Sequence, residues 1–221
     1  MAEEQDIDLK IAPPADPGLP PGFKCLGVLG EGTFGVVYKV LLQHLQQVVA
    51  VKVFRSISNE DKVAQRMTRE AKAISKLDHK NIVKLLQVGY TTGGAPFLVY
   101  EYLDGVTLLN ALNSRKLSLL EIDQILKQVL SGLSYIHSAG FIHRDIKPGN
   151  IMIIREGLTG SHKVAKILDF GIARQMEELE QGSSNRASTN ASSSTGPTTS
   201  TSLMHGSPNY MSAEQCQGKV L

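Results

Sequence analysis

The sequence predicts an α+β fold in which a strand-rich front half leads into a helix-rich back half. Short runs rich in Val, Leu, Tyr and Phe, each bounded by Gly or polar turns, recur between Cys25 and Leu103. From about Thr107 the character changes. Ser118–His137 carries Leu119, Ile122, Leu126, Val129, Leu133 and Ile136 at helical spacing. A short hairpin pattern, IMII followed by KVAKIL, comes after that helix.

The elements follow in order. Residues 1–22, MAEEQDIDLKIAPPADPGLPPG, form an acidic, proline-rich extension whose prolines block regular pairing. CLGVL, VVYKV, VVAVKVF and FLVYEYL then read as strands, and Asn59–Leu77 reads as a helix between the last two. Ser118 with Glu121 three residues on is a capping-box signal for the long helix. Glu177–Ser202 breaks the pattern. From Ser183 it is almost wholly Ser, Thr, Asn, Gly and Ala, a composition that cannot build a packed core, so a mobile loop is expected there. No internal repeat is visible.

Bulk properties exclude several classes. The chain has 221 residues with 42% hydrophobic and 20% charged, which suits a globular protein. A net charge of +2 leaves no basic footprint for nucleic acid. No apolar run is long enough to span a membrane, and the N-terminus lacks the basic start and apolar middle of a secretory signal. Cys25 and Cys216 stand far apart in no metal-ligand spacing, so a reduced, intracellular, cytoplasmic chain without structural disulfides is expected.

Four constellations carry chemistry. In GEGTFGVVYKV, Gly30, Gly32 and Gly35 form a weak glycine signal that fits two phosphate-binding designs and an ordinary hairpin equally. A dinucleotide fold needs a helix after the glycines, whereas Val36, Val37, Tyr38 and Val40 favour a strand. In VAVKVF, Lys52 interrupts an apolar run. A lysine there is costly if buried and unpaired, unless the strand lies at an edge with Lys52 in solvent. Glu70 falls on the same stripe as Val63, Met67 and Ile74 of the following helix, which predicts a Lys52–Glu70 pair. HRDIKPGN, residues 143–150, is a loop, because Pro148 and Gly149 preclude a regular helix. LDFG places Asp169 before Phe170 and Gly171. Asn150 and Asp169 offer oxygen donors suited to magnesium. Singly, Asp145 reads as a turn residue, Asn150 as a strand start and Asp169 as a cap; their order together makes coincidence a poor account.

Taken with VAVK, Glu70 and a final GSPNYMSAE, this ordered set resembles the protein-kinase family over residues 23–221. Lys147 and GSPNY resemble its serine/threonine branch; tyrosine kinases usually lack a lysine two residues after the aspartate. The resemblance implies a two-lobed fold, with an antiparallel sheet N-lobe at about 23–103 and a helical, incomplete C-lobe at about 104–221. A disordered insertion in the activation segment is expected at about 177–205. It implies ATP and Mg2+ as cofactors and transfer of phosphate to Ser/Thr hydroxyls of protein substrates. Lys52, positioned by Glu70, would hold the α- and β-phosphates. Asp145 would accept the hydroxyl proton, Lys147 would steady the transferring phosphate, and Asn150 and Asp169 would bind the metal. Gly30, Gly32 and Gly35 would cover the phosphates. Val37, Ala50 and Met152 would sandwich adenine, backbone groups of Glu101 and Leu103 would hydrogen-bond it, and Tyr100 would stand at the gatekeeper position. Arg144 would receive a loop phosphate placed by an upstream kinase.

Two features depart from the family pattern. Ser212-Ala213-Glu214 stands where Ala-Pro-Glu is usual, and the chain stops at Leu221, where such domains continue for several helices. An incomplete domain with exposed apolar surface in its back half is therefore expected. The alternative function is a nucleotide-binding interaction module with weak or no catalysis. Cys216 reads as a surface thiol, and His137, on the apolar helix face, as a packed core residue.

Overall fold

A computed structural model describes residues 17–32, 35–55, 71–72, 74–156, 162–169 and 208–213. Three strands open the fold: β1 (Phe23–Gly32), β2 (Gly35–Leu42) and β3 (Gln47–Phe54). After β4 (Leu85–Tyr90) and β5 (Pro96–Glu101) they make an antiparallel sheet in the order β1-β2-β3-β5-β4. The predicted strands correspond to β1, β2, β3 and β5. β4 was not foreseen, because LLQVGY carries neither strict alternation nor a turn signal before it. The helix expected over Asn59–Leu77 is described only at its end, where Ser75 N donates to Ala71 O at 2.8 Å.

β3 lies between β2 and β5, which removes the edge-strand reading of Lys52. Alternation then sorts its side chains. Val49 and Val51 point to one face and pack with Val40, Phe97 and Val99 beneath Leu19 and Phe23. Ala50 and Lys52 point to the other, in register with Tyr100 and Leu98 on β5, and Lys52 with Val37 on β2. This second face joins a larger core that continues through Ile74, Ile82 and Leu85 into the back half.

The back half holds β6 (Gly105–Thr107), α1 (Leu108–Ser114) and α2 (Leu119–Ser138), then β7 (Ile151–Glu156) and β8 (His162–Ile167). The β7–β8 hairpin is as expected, and β6 adds a third strand to it. The capping box is present: Ser118 Oγ accepts from Glu121 N at 3.2 Å, and Glu121 Oε2 accepts from Ser118 N at 3.0 Å. Arg115 and Lys163 also bond this carboxylate, at 2.8 and 2.7 Å, and together they hold it far below the usual carboxylate range.

The buried face of α2 differs from the expected stripe. Ile125, Val129, Gly132 and Ile136 are buried, whereas Leu119 is 86% exposed and Ile122, Leu126 and Leu130 face out. Apolar residues occupy more than one side of this helix, so spacing alone could not choose the packed one. His137 is exposed, not packed in the core, because it follows Ile136 by one residue and turns away from the small sheet. Among the described residues no helix is long and apolar enough to cross a membrane. The Ser/Thr-rich segment at 177–205, Cys216 and the 1–16 part of the N-terminal extension lie outside the described residues.

Candidate active site

The site is built where the two halves meet. Lys52 leaves β3 on the inner face, and its Nζ lies 2.8 Å from Asp169 Oδ2. Lys52 is 13% exposed, so the cation is largely withdrawn from water and needs this carboxylate. The expected partner, Glu70, lies outside the described residues. Asp169 follows β8 by two residues and adopts φ 43°, a left-handed backbone that aspartate tolerates better than most residues. Arg144, at φ 65°, is a second residue in that region.

The 143–150 loop gathers its charges around one carboxylate. Lys147 Nζ sits 2.8 Å from Asp145 Oδ2, and Asn150 Nδ2 donates to both Asp145 Oδ2 and Asp145 O at 2.8 Å. Pro148–Asn150 forms a single 3₁₀ turn, which folds Asn150 back onto the aspartate. The amide donor is thereby committed to Asp145, which leaves the Asn150 oxygen to face elsewhere.

Two hydrogen bonds tie this loop to the segment carrying Asp169. Leu168 N donates to Asn150 O at 2.8 Å, and His143 Nε2 lies 2.7 Å from Leu168 O. A carbonyl only accepts, so Nε2 bears the proton. Asp145 N donates to His143 Nδ1 at 3.3 Å, so Nδ1 is the bare nitrogen. The bond from Asp145 N requires the neutral ring, whereas the one to Leu168 O is open to either form. Burial, at 1% exposure, lowers the His143 pKa and so favours the neutral ring, against the opposing pull of the Leu168 carbonyl, Asp145 and Asp169. Sequence reading passed over His143; its place next to the charged run was the available signal.

The nucleotide-facing residues named from sequence fall on two surfaces. Val37 and Ala50 lie on the same sheet face as Lys52, and Tyr100 is the buried partner of Ala50 on β5. Burial raises the Tyr100 pKa well above the ordinary tyrosine value, with the Asp169 charge adding to it. Met152 pairs with Lys166 across β7 and β8, so both point to one side. Lys166 Nζ reaches Glu101 Oε1 at 2.7 Å, which turns that side toward the end of β5 and the following Leu103. Lys166 was missed although it interrupts an apolar strand just as Lys52 does. Gly30 and Gly32 border open space, and Gly32 pairs with Gly35. At Gly35 a Cβ would lie 2.1 Å from Val53 O, so the close crossing of β2 over β3 requires glycine.

A glycine-bearing hairpin lies beside the Lys52 strand, and Lys52 meets Asp169 next to the loop in which Lys147 meets Asp145. The protein kinase domain family model matches residues 23–220, and the chain belongs to that family. It is 36% identical over 202 residues to the serine/threonine-protein kinase pkn3 of Myxococcus xanthus, covering 90% of this chain and 34% of that protein. Against a probable serine/threonine-protein kinase PknB of Bifidobacterium longum the identity is 33%, covering 88% of this chain and 26% of that one. The chain thus spans roughly a quarter to a third of these relatives' length. The crystal structure of the Mycobacterium tuberculosis PknI kinase domain superposes with a TM-score of 0.58 at 25% identity, over 72% of this chain and 63% of that one. Rad53 residues 1–466 in complex with AMP-PNP gives a TM-score of 0.59 at 31% identity, over 68% of this chain and 38% of that one. The expected kinase-like fold, an antiparallel sheet lobe followed by a lobe with helices, is therefore that of the chain.

Proposed function

We propose that this chain transfers the γ-phosphoryl group of ATP to serine or threonine hydroxyls of protein substrates. The observation that carries the reading is the pair of lysine–aspartate contacts, Lys52–Asp169 and Lys147–Asp145, held together by the Leu168–Asn150 bond. Two carboxylates and two ammonium groups on neighbouring segments suit a reaction that is mostly positioning and charge neutralisation. The serine/threonine kinases among the relatives and the nucleotide analogue bound by Rad53 point the same way.

In this reading the substrate hydroxyl oxygen attacks the γ-phosphorus and the bond to the β–γ bridging oxygen breaks, releasing ADP. The hydroxyl proton passes to Asp145 Oδ2. Lys147, resting on that carboxylate, moves to the transferring phosphate, and Lys52 moves from Asp169 toward the α- and β-phosphates, with Glu70 as its helix partner. Adenine lies between Val37, Ala50 and Met152 and bonds the backbone of Glu101 and Leu103, with Tyr100 closing the rear. Gly30, Gly32 and Gly35 lie over the phosphates, and the open space at the first two leaves room for them. Asn150 and Asp169 fit a magnesium ion: both donors are hard oxygens, the Asn150 oxygen is turned from Asp145, and the Leu168–Asn150 bond brings their backbones together. Bound magnesium would neutralise phosphate charge. The lobes divide between Leu103 and Asp104, since the large sheet ends at Glu101 and the small one begins at Gly105. An upstream kinase would phosphorylate the Ser/Thr-rich 183–202 stretch, with Arg144 receiving the phosphate.

The test is phosphotransfer from ATP to a generic basic protein, comparing wild type with Asp145→Ala. Activity in the wild type that the variant lacks supports the reading. An interaction module without catalysis would bind ATP yet give no transfer in either.

A further inference from the structure

β8 is the outer strand of the small sheet, yet its free edge is not open. Gln128, on α2, donates from Nε2 to Lys163 O at 3.2 Å and accepts at Oε1 from Ala165 N at 3.0 Å. Asn81 takes over where Gln128 stops. Its Nδ2 donates to Ala165 O at 2.8 Å and to Gln128 Oε1 at 3.0 Å. Its backbone oxygen accepts from Ile167 N at 2.9 Å, and Val83 N donates to Ile167 O at 2.9 Å. The two amide side chains and a short stretch of backbone thus replace a missing neighbour strand in succession, as far as the end of β8. Gly132 permits the approach: a Cβ there would lie 2.9 Å from Ile167 Cδ1 and 3.1 Å from Asn81 O.

We propose that Gln128 and Asn81 are positioning residues for Asp169. The inference rests on the reading of Asp169 as a magnesium ligand. Asp169 stands two residues beyond β8 in a left-handed backbone conformation, and such a backbone persists where the surrounding structure holds the chain that leads into it. The Leu168 bonds to Asn150 and His143 hold the residue just before it. The Gln128–Asn81 edge holds the register of the strand that delivers it. Asn81 is fully buried and Gln128 half-buried, so a hydrocarbon at position 128 would leave Ala165 N and Lys163 O without partners, and β8 would shift to find them. A supporting residue of this kind acts on metal affinity through orientation.

The test measures ATP binding by calorimetry on the 221-residue chain, with magnesium and with EDTA, for wild type, Gln128→Leu, Gln128→Glu and Asp169→Asn. Gln128→Leu should weaken magnesium-supported ATP binding by roughly 10-fold or more and leave binding in EDTA unchanged. Gln128→Glu keeps the acceptor for Ala165 N and should recover part of the loss. A lower melting temperature with the magnesium dependence of wild type would show a purely structural role and overturn the inference, as would an equal loss in both buffers. Should Gln128→Leu not fold, Gln128→Glu decides by the same two comparisons. If Asp169→Asn leaves the magnesium dependence intact, the metal reading itself falls. If Asp169→Asn removes that dependence and the Gln128 variants do not touch it, only the positioning role falls.

Discussion

Lys52 and Asp169, separated by 117 positions in the chain, meet at 2.8 Å across the junction of the two halves. The contact joins an interior strand of the large sheet to the residue beyond β8, so the lysine reports on both. Its ammonium also lies 5.5 Å from the centroid of the Phe54 ring. Lys52→Met would keep the length and apolar stem of the side chain and remove its charge. We expect phosphotransfer to fall by about 10²–10³-fold, the usual effect of deleting one preorganised electrostatic donor, with the circular-dichroism spectrum unchanged. Retention of wild-type turnover would refute the role given to Lys52.

Asp145 has a different expected signature. Its carboxylate touches Lys147 and Asn150, while its backbone N–H bonds His143. Asp145→Ala removes the proposed proton acceptor and leaves the backbone contact. Turnover should fall by about 10²–10⁴-fold, while ATP affinity, measured by titration, stays near wild type. A matching loss of affinity would mean that Asp145 holds the loop together and does not act on the hydroxyl.

Much of this architecture was legible because periodicity and punctuation agreed. Val-rich runs between Gly turns located β1, β2, β3 and β5, and Ser118 with Glu121 marked the start of α2 to the residue. Lys52 was legible as inward-facing because it broke an apolar run. Its contact with Asp169 was not, since no local pattern brings β3 and the end of β8 together. The short α1 and β6 escaped for a related reason: Leu108–Ser114 and Gly105–Thr107 are too brief to show a period. Gln128 and Asn81 were invisible because amide side chains that cap a strand edge look like surface residues in sequence.

His143 should make stability depend on pH. Its folded pKa lies below the ordinary 6.5 because burial disfavours the cation. The unfolded chain therefore binds the proton first as pH falls. Stability should be full above about 6.5 and be lost progressively as pH drops from there through the lower folded value. Melting temperatures between neutral and mildly acidic pH check this. His143→Asn should flatten the acid side of the profile; an unchanged slope would assign the dependence to other groups.

The last expectation concerns which side of α2 is load-carrying for the fold. Ile136 is 0% exposed and packs into the main core, whereas Leu126 faces out on the same helix. The sequence alone ranked the two alike, since both lie on the spacing that announced the helix. Burial separates them. Truncating Ile136 to alanine removes buried methylenes and leaves a cavity that the surrounding β8 and 81–83 backbone cannot fill, at a cost of about 2–5 kcal/mol. Leu126→Gln removes little buried area and keeps good helix propensity, so its effect should stay within about 0.5 kcal/mol. Urea denaturation of the two variants, read at constant m-value, gives both numbers. If Leu126→Gln proves the more damaging of the two, the helix is rotated about its axis relative to the small sheet, and the Gln128 contacts with β8 would have to be reassigned with it.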